Sequence, residues 1–515
     1  MIAPSISLIP LDDRPCNRLF PRQLAAISGY RLCMPPRERL GWFTQPGDCV
    51  AIADWLRGCP GDRLVISLDM LCYGGLVASR TSDVETGMAL QRLEALRDLR
   101  RSRPDLTIFA FSIVMRLGTT VTDADSLATH LALGSYSQLL DRVERLGEES
   151  ARAELDAVAS QLDPGALSVY LAARRRNHAI NSAAVRLVAD GAIDHLILAQ
   201  EDSGPVGIHI PELLALRAQV EEFRVAGSVA IHPGADEVGM VLMARHHHGA
   251  AGRALPVAID YASPEGAAAI PLFEHQPILR TIESQLHAAG ARLVPIGDAD
   301  AVLFVHTPIQ VQRDIAEAPP PGRAPILAAQ AESVVERTKA ANDAGLLVGL
   351  ADLAYANGAD PELIAALKRS GGASHLSAYA GWNTAANTLG TVIAQLCLTA
   401  SNGLPVPAAG AVTDFLACRF VDDYGYQACV RSKAAQQAQE MRANPFALGE
   451  AGPAIERFTR EELKPFAHEA YSDLLGAGSE LAERVQVSLP WGRLFEVEVE
   501  VDSGDSTRES EKKRS

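Results

Sequence analysis

Aromatic residues make up only 5% of this 515-residue chain. That scarcity, with abundant Ala, Leu and Gly, fits a helix-rich α/β protein better than an all-β one. No CxxC pair is present, and the eight cysteines (16, 33, 49, 59, 72, 397, 418 and 429) are irregularly spaced, as reduced thiols are rather than a disulfide framework. Basic residues are outnumbered: 47 Lys and Arg against 63 Asp and Glu give a net charge of −16, which argues against nucleic acid as a partner. No run of about 18 apolar residues occurs, so no membrane span or membrane partner is expected. The start, Met1-Ile2-Ala3-Pro4-Ser5, lacks a basic segment followed by an apolar one. The expectation is no signal peptide and a cytoplasmic location. Neither the GxGxxG spacing nor a Walker lysine is found after a strand, so no nucleotide cofactor is expected.

What the chain has is acidic residues where apolar runs end. Ile9-Pro10-Leu11 leads into Asp12-Asp13-Arg14, Val65-Ile66-Ser67-Leu68 into Asp69, and Leu196-Ile197-Leu198-Ala199 into Gln200-Glu201-Asp202. Val229-Ala230-Ile231-His232 leads to Asp236-Glu237, and Val348-Gly349-Leu350 to Asp352. A buried parallel strand is an apolar run, and its carboxyl end opens into the crevice where α/β proteins bind ligands.

Strand and helix signals alternate for about 400 residues. Strands are expected at 4–9, 63–68, 106–111, 194–199, 227–232, 256–259, 292–295, 301–305, 346–350 and 376–379. Helices are expected at 87–101, 136–160, 174–190, 211–224, 238–247, 277–289, 324–344, 361–369 and 384–400. The pattern predicts two doubly wound, Rossmann-like parallel-sheet domains with a mostly helical C-terminal extension. The division is 1–250 for an N-terminal α/β domain carrying the acidic strand ends and 251–400 for a Rossmann/flavodoxin-like domain. Residues 401–502 form a helical region ending in a short β-hairpin, with Trp491-Gly492 at its turn, and 503–515 a disordered tail. The Pro-rich stretch 318–322 reads as a loop. A TIM-like barrel is the alternative, disfavoured because about 80 residues separate two successive strands where a barrel unit uses about 30.

The candidate site residues follow from these strand ends. Asp12, Asp13 and Arg14 bind sugar hydroxyls or form an ion pair at a turn. Asp69 precedes Gly74-Gly75, a pair that turns sharply or lets a ligand approach the backbone, and Arg80 beyond it holds a carboxylate of the substrate or of Asp12 or Asp13. Glu201 and Asp202 on one strand end, and Asp236 and Glu237 on the next, offer two carboxyl groups for glycosidic-bond hydrolysis. Asp236 also suits a helix cap. Asp352 and Asn357 follow a later strand, while Asp360 before Pro361 is a structural N-cap. Trp382 offers a flat surface for a sugar ring, and Asn383 and Asn387 share its loop and helix start. Arg174-Arg175-Arg176 reads as a solvated basic patch, with Asn177 and Asn181 on one helix face. His246-His247-His248 point in three directions and do not share an ion, so they read as a polar helix end. His232 is the better metal or proton-transfer candidate.

The segments Ile9 to Asn17, Ser67 to Arg80, Pro233 to Glu237 and Gly381 to Asn387, taken together, resemble a bacterial family known only as domain of unknown function 4127. The resemblance covers about residues 5–400. Where the family often has paired aspartates, this chain has Glu201-Asp202. The resemblance supports the choice of residues and implies no established activity.

The expectation is therefore a carbohydrate-active hydrolase, a glycosidase working in an interdomain cleft. Asp202 and Asp236 or Glu237 are its catalytic carboxyls. Asp12, Asp13, Arg14, Asp69, Arg80, Glu201, Asp352, Asn357, Trp382, Asn383 and Asn387 are its substrate contacts. The partner is a small-molecule or oligosaccharide substrate, with a homo-oligomer possible and no cofactor required. The alternatives are a divalent-metal hydrolase or lyase built on Asp12, Asp69, His232 and Asp236, and a non-catalytic sugar-binding protein.

Overall fold

The computed structural model describes residues 4–317, 323–400 and 408–502. The Pro-rich stretch 318–322 and the tail 503–515 lie outside them. In chain order the strands are β1 (Ser5–Ile9), β2 (Arg31–Cys33), β3 (Arg63–Ser67), β4 (Thr107–Val114), β5 (His195–Gln200), β6 (Val229–Pro233), β7 (Pro256–Tyr261), β8 (Arg292–Leu293), β9 (Ala301–His306), β10 (Arg313–Asp314), β11 (Leu347–Asp352), β12 (Tyr355–Ala356), β13 (Ala378–Ala380), β14 (Val485–Ser488) and β15 (Glu498–Val501). A six-stranded sheet runs β2-β1-β3-β4-β5-β6 and a five-stranded sheet β13-β11-β9-β7-β8. All pairings within both are parallel. Two open sheets exclude the barrel alternative.

Numbered from its own first strand, the second sheet has the order 2-1-3-4-5 of a common doubly wound topology, and the first sheet has the same order plus one strand. In both, the chain reverses direction across the sheet beside its first strand. That places a crevice beyond the carboxyl end of β1, between it and β3.

The strands alternate faces as their two-residue period requires. Ile6, Leu8, Val65, Ile113 and Ile197 face one core, while Ile9, Leu64, Ile66, Ile108 and Leu198 face another. The first of these cores also takes in Val257, Leu303 and Val305 from the second sheet. Helices Pro15–Ile27, Val238–Ala251, Ile278–Ala289 and Ala385–Thr399 contribute to it, so a single helical layer serves both sheets. Ala385–Thr399 is accordingly covered on every side: residues 385 to 398 are all buried. Residues 250 and 400 each fall at the C-terminal end of one of these shared helices.

The shared layer is tightly packed. A Cβ on Gly390 would lie 2.2 Å from Glu237 Cγ and 3.2 Å from Val241 Cγ2. Overpacking costs about 1–3 kcal/mol, and alanine's helix preference returns up to about 1. Gly390→Ala is therefore expected to lower the unfolding free energy by roughly 1–2 kcal/mol in a urea titration. A variant as stable as the parent would show that the two helices separate without cost.

Several local expectations need correction. The helix expected at 136–160 is two helices, Ala124–Glu144 and Arg152–Gln161, separated near Gly147, whose φ is +70°. The helix expected at 174–190 begins earlier, at Pro164, with Asp163 as its cap. Together these helices occupy the long gap between β4 and β5. The edge strand β2 is too short for its periodicity to be read, and β4 runs on to Val114 rather than ending at 111. In the C-terminal region, Phe420–Val430 is wound with the wide π-helical turn, a distortion frequent at functional sites. The antiparallel pair β14–β15 forms with Val485 opposite Val501, and the loop 489–497 between them carries Trp491.

Candidate active site

A short turn, Pro10 to Arg14, joins the carboxyl end of β1 to helix Pro15–Ile27, with Pro15 at its first position. Arg14 is thereby held at the mouth of the crevice between β1 and β3. Its guanidinium lies between two carboxylates: Nε and Nη2 donate to Asp12 Oδ2 at 2.9 and 2.7 Å, while Nη2 and Nη1 donate to Asp236 Oδ1 and Oδ2 at 2.6 and 3.2 Å. Asn17 Nδ2 donates to Asp12 Oδ1 at 2.8 Å and to Asp236 Oδ1 at 3.3 Å. From the other half of the molecule, Asn383 Nδ2 reaches Asp236 Oδ2 at 3.4 Å, and Asn387 Oδ1 accepts the Asp236 amide at 3.3 Å. Burial pushes the Asp236 carboxyl above its ordinary range, against the pull of Arg14. Asp236 is thus no helix cap: Glu237 occupies the cap position of helix Val238–Ala251, with no side-chain capping bond.

Asp13 points elsewhere. It accepts hydrogen bonds from the indole of Trp491 and from Arg37 Nε, the latter at 3.3 Å. Burial raises its carboxyl, and Trp491 partly opposes this. The indole also lies 5.2 Å from the Arg14 guanidinium. Glu498 ties the same loop down through Arg18 at 2.9 Å and Arg37 at 3.7 Å. The C-terminal pair of strands is thus fastened over the end of β1.

These elements border an open cleft whose space, counted out into solvent, is about 420 Å³. Arg14 and Asp236 form one wall, Asp422, Phe495 and Glu496 another, and Trp382, Asn383 and Asn357 a third. Asn357 and Asn383 have φ of +61° and +51°, a conformation that asparagine tolerates better than most residues. The Asn383 carbonyl accepts the Asn357 amide at 2.8 Å, which locks the two turns together. Asn357 also donates to Asp314 Oδ2 at 2.6 Å. Thr384, not Asn383, caps helix Ala385–Thr399, which leaves the Asn383 amide directed at Asp236. Trp382 borders the cleft but is only 8% exposed. Its indole donates to Thr391 and its ring meets Phe20 edge-on at 5.5 Å.

Asp422 comes from the π-helical segment and accepts from Arg419 Nη2 at 2.8 Å. Arg419 is fully buried, 3.7 Å from the Phe20 ring, and its other amine meets Asp423 Oδ1 at 2.8 Å. Asp423 in turn accepts the Gly381 amide at 2.7 Å. This chain of contacts sets the loop that carries Trp382 and Asn383. Burial pushes Asp423 up to about 8 and raises Asp422 also, Arg419 opposing both.

A smaller pocket of about 200 Å³ lies behind Asp236. Gln200, Glu201 and Asp202 from the end of β5 line it, facing Glu274 and Asn387. Arg80 and Arg116 hold Glu201, and Arg116 also pairs with Asp202. Arg80 therefore binds Glu201 rather than Asp12 or Asp13. Glu274 accepts the Ala386 amide at 2.5 Å, at the start of helix Ala385–Thr399, and burial pushes its carboxyl up to about 8.

Other expected residues are not brought to either pocket. Glu237 is fully buried in the shared helical layer, where the Ala235 amide and Gln285 Nε2 donate to it at 3.0 and 3.2 Å. Asp69 accepts the Ile113 amide at 2.9 Å, and burial raises it to about 7. Asp352 accepts the amides of Ala354 and Asp360, beside a His306–Asp360 contact of 2.8 Å. Asp360 caps its helix as expected. Gly74 packs against the backbone of Gly47, where a Cβ would meet atoms at 2.6 Å, so the glycine pair serves a backbone contact rather than a ligand.

Arg174 and Arg176 are buried, not solvated. Arg174 binds the carbonyls of Met115 and Arg116, and Arg176 and Asn177 both bind the Ser79 carbonyl. They hold the segments that present Arg116 and Arg80. The three successive histidines are buried too: His246 stacks on Phe109 at 3.9 Å and His247 meets the Ala400 carbonyl at 3.0 Å. His232 meets the Pro233 carbonyl, and burial lowers it to about 4. Among the described residues no three His, Cys, Asp or Glu side chains converge as a metal site, so the expected grouping of Asp12, Asp69, His232 and Asp236 does not form one.

Arg116, Glu274, Asp422, Asp423 and Glu496 are additions that sequence reading missed. Arg116 follows a strand just as the other candidates do, but β4 runs to Val114, past the 111 at which the apolar pattern ends it. Asp422-Asp423 stand out as a charged pair inside an apolar helical run. Glu274 lies in a loop with no local signal.

Residues 6–500 match the family model described as Protein of unknown function (DUF4127). No curated protein and no solved structure matches the chain.

Proposed function

The chain belongs to the DUF4127 family, whose description assigns no activity, and from the site itself we propose that it is a carbohydrate-active hydrolase acting on a small glycoside in the larger cleft. One observation carries the reading. Asp236 and Asp422 line that cleft from different elements, with the side chains of Phe20, Trp382 and Phe495 also bordering it. Glycosidic hydrolysis asks for two carboxyl groups flanking the scissile bond and an apolar face for the ring.

The roles follow from the surroundings. Asp236, gripped through both oxygens by Arg14 and by two asparagine amides, is the fixed carboxylate that stabilises positive charge at the reacting carbon or attacks it. Asp422 is the acid that protonates the leaving oxygen, helped by burial that favours its neutral form. Asn357 and Asn383 position hydroxyls. The eight cysteines are all unpaired, in keeping with a cytoplasmic enzyme, and no helix among the described residues is long and apolar enough to cross a membrane.

The test is turnover of a panel of aryl glycosides and oligosaccharides, with and without EDTA. Turnover that persists with EDTA and falls at least ~100-fold in Asp236→Asn and in Asp422→Asn supports the assignment. Undiminished turnover in both variants overturns it. Turnover abolished by EDTA would move the chemistry to a metal-dependent hydrolase.

A further inference from the structure

Two residues that line the smaller pocket carry buried acceptors that nothing satisfies. Gln200 is 1% exposed, and its Nε2 is committed to the carbonyls of Glu201, Val114 and Met115 at 2.6, 3.3 and 3.4 Å. That fixes the amide and leaves Oε1 without a donor. Glu201 is 5% exposed; Arg80 and Arg116 approach its Oε1, and its Oε2 has no partner. Leaving such atoms unmatched costs about 1–3 kcal/mol each, more for a charged group, and native proteins seldom do so without a ligand or water in reach. Both residues line the pocket with Asp202, whose side chain is 31% exposed and pairs with Arg116 through Oδ2.

Beside Thr384 and Asn387, the polar lining is acidic or amide oxygen, and no Lys or Arg is part of it. A hydroxyl would bring one donor and two lone pairs. A primary ammonium brings three donors and no acceptor, which matches Gln200 Oε1, Glu201 Oε2 and the Asp202 carboxylate. We propose that the smaller pocket seats a primary ammonium group of the ligand, making the substrate class an amino-substituted sugar. Arg80 and Arg116 offset the charges of Glu201 and Asp202. The remaining acid is Glu274, whose carboxyl burial pushes up to about 8, and an arriving cation favours its ionised form. The ammonium is thereby accommodated without an uncompensated charge.

The inference rests on the carbohydrate reading for the sugar and on the orphaned acceptors for the amine. The test is calorimetric binding of D-glucosamine and D-galactosamine to the full-length protein, against D-glucose, D-galactose and N-acetyl-D-glucosamine. The expected result is at least one amino sugar binding tenfold or more tighter than its neutral parent and its acetylated form. That preference should collapse in Asp202→Asn, at a more exposed position, and in Glu201→Gln if its circular dichroism is unchanged. Equal affinities, no amino-sugar binding, or a preference that survives in the folded variants would overturn the proposal. Binding does not require turnover, so amine preference without hydrolysis would refute the hydrolase reading alone. Hydrolysis of neutral glycosides without amine preference would refute this inference alone.

Discussion

Replacing Arg14 with methionine is expected to lower the unfolding free energy by about 3–5 kcal/mol, the usual consequence of removing one partner from a buried ion pair. The stem of the side chain is kept, so the loss is electrostatic rather than a cavity. Without the guanidinium, Asp12 and Asp236 face each other in a site where both are buried, and only Asn17 still bridges them. Lysine is expected to recover part of the loss. It restores the charge but cannot donate in parallel to two carboxylates. Chemical denaturation at neutral pH measures the effect. The deficit should shrink on acidification, because a protonated Asp236 no longer repels its neighbour. A methionine variant with the parental midpoint would mean that the two carboxylates are not held by Arg14.

The second large effect concerns stability against pH. Burial pushes Glu237 up to about 8 from 4.5, with Ala235 and Gln285 only partly opposing it. A carboxyl whose value is raised by folding is protonated in the native state and ionised in the unfolded state between those two values. Its contribution is fully present below about 4.5 and is lost as pH rises through about 8. For one fully buried group the loss across that window is on the order of 4 kcal/mol. Glu237→Gln removes the titration and keeps the shape. The Gln285 Oε1 has no partner and accepts from the new amide if the side chain turns, at the cost of the bond from its Nε2 to the Ala386 carbonyl at 3.0 Å. The expected result is a variant that gains several kcal/mol on the parent between pH 5 and pH 9, read from urea midpoints at both. Identical pH profiles would show that Glu237 is already ionised in the native protein. Glu274, raised likewise to about 8 by burial and in part by Glu237, adds a similar slope that the substitution lessens but does not remove.

The alternation of apolar runs with helical periodicity was enough to give two parallel doubly wound sheets and a helical C-terminal region. A strand buried on both faces must be apolar throughout, and that is a local property of the chain. The same argument placed Asp12, Arg14, Glu201, Asp202 and Asp236 at strand ends, where they are. Asp360 before Pro361 was legible as a cap for a similar reason, because capping involves only neighbouring residues.

Which of these residues meet is a different matter. Asp236 touches Arg14 and Asn17 from far earlier in the chain and Asn383 from far later, and no local pattern encodes such pairings. Asp12 and Asp13 are adjacent yet diverge, one to Arg14 and the other to Trp491 near the C-terminus. Glu237, next to Asp236 and chemically similar, turns into the shared helical layer because a helix begins there and successive side chains diverge by about 100°. Arg174 and Arg176 looked solvated by composition and became buried because strand-end carbonyls converge on them. The sequence by itself determined the elements, the parallel sheets and the strand-end placement of charge, since these depend on periodicities of a few residues. Only the tertiary structure decided that two sheets share one helical layer, that the C-terminal loop closes over β1, and which carboxylates line a cleft, since those depend on contacts between segments hundreds of residues apart.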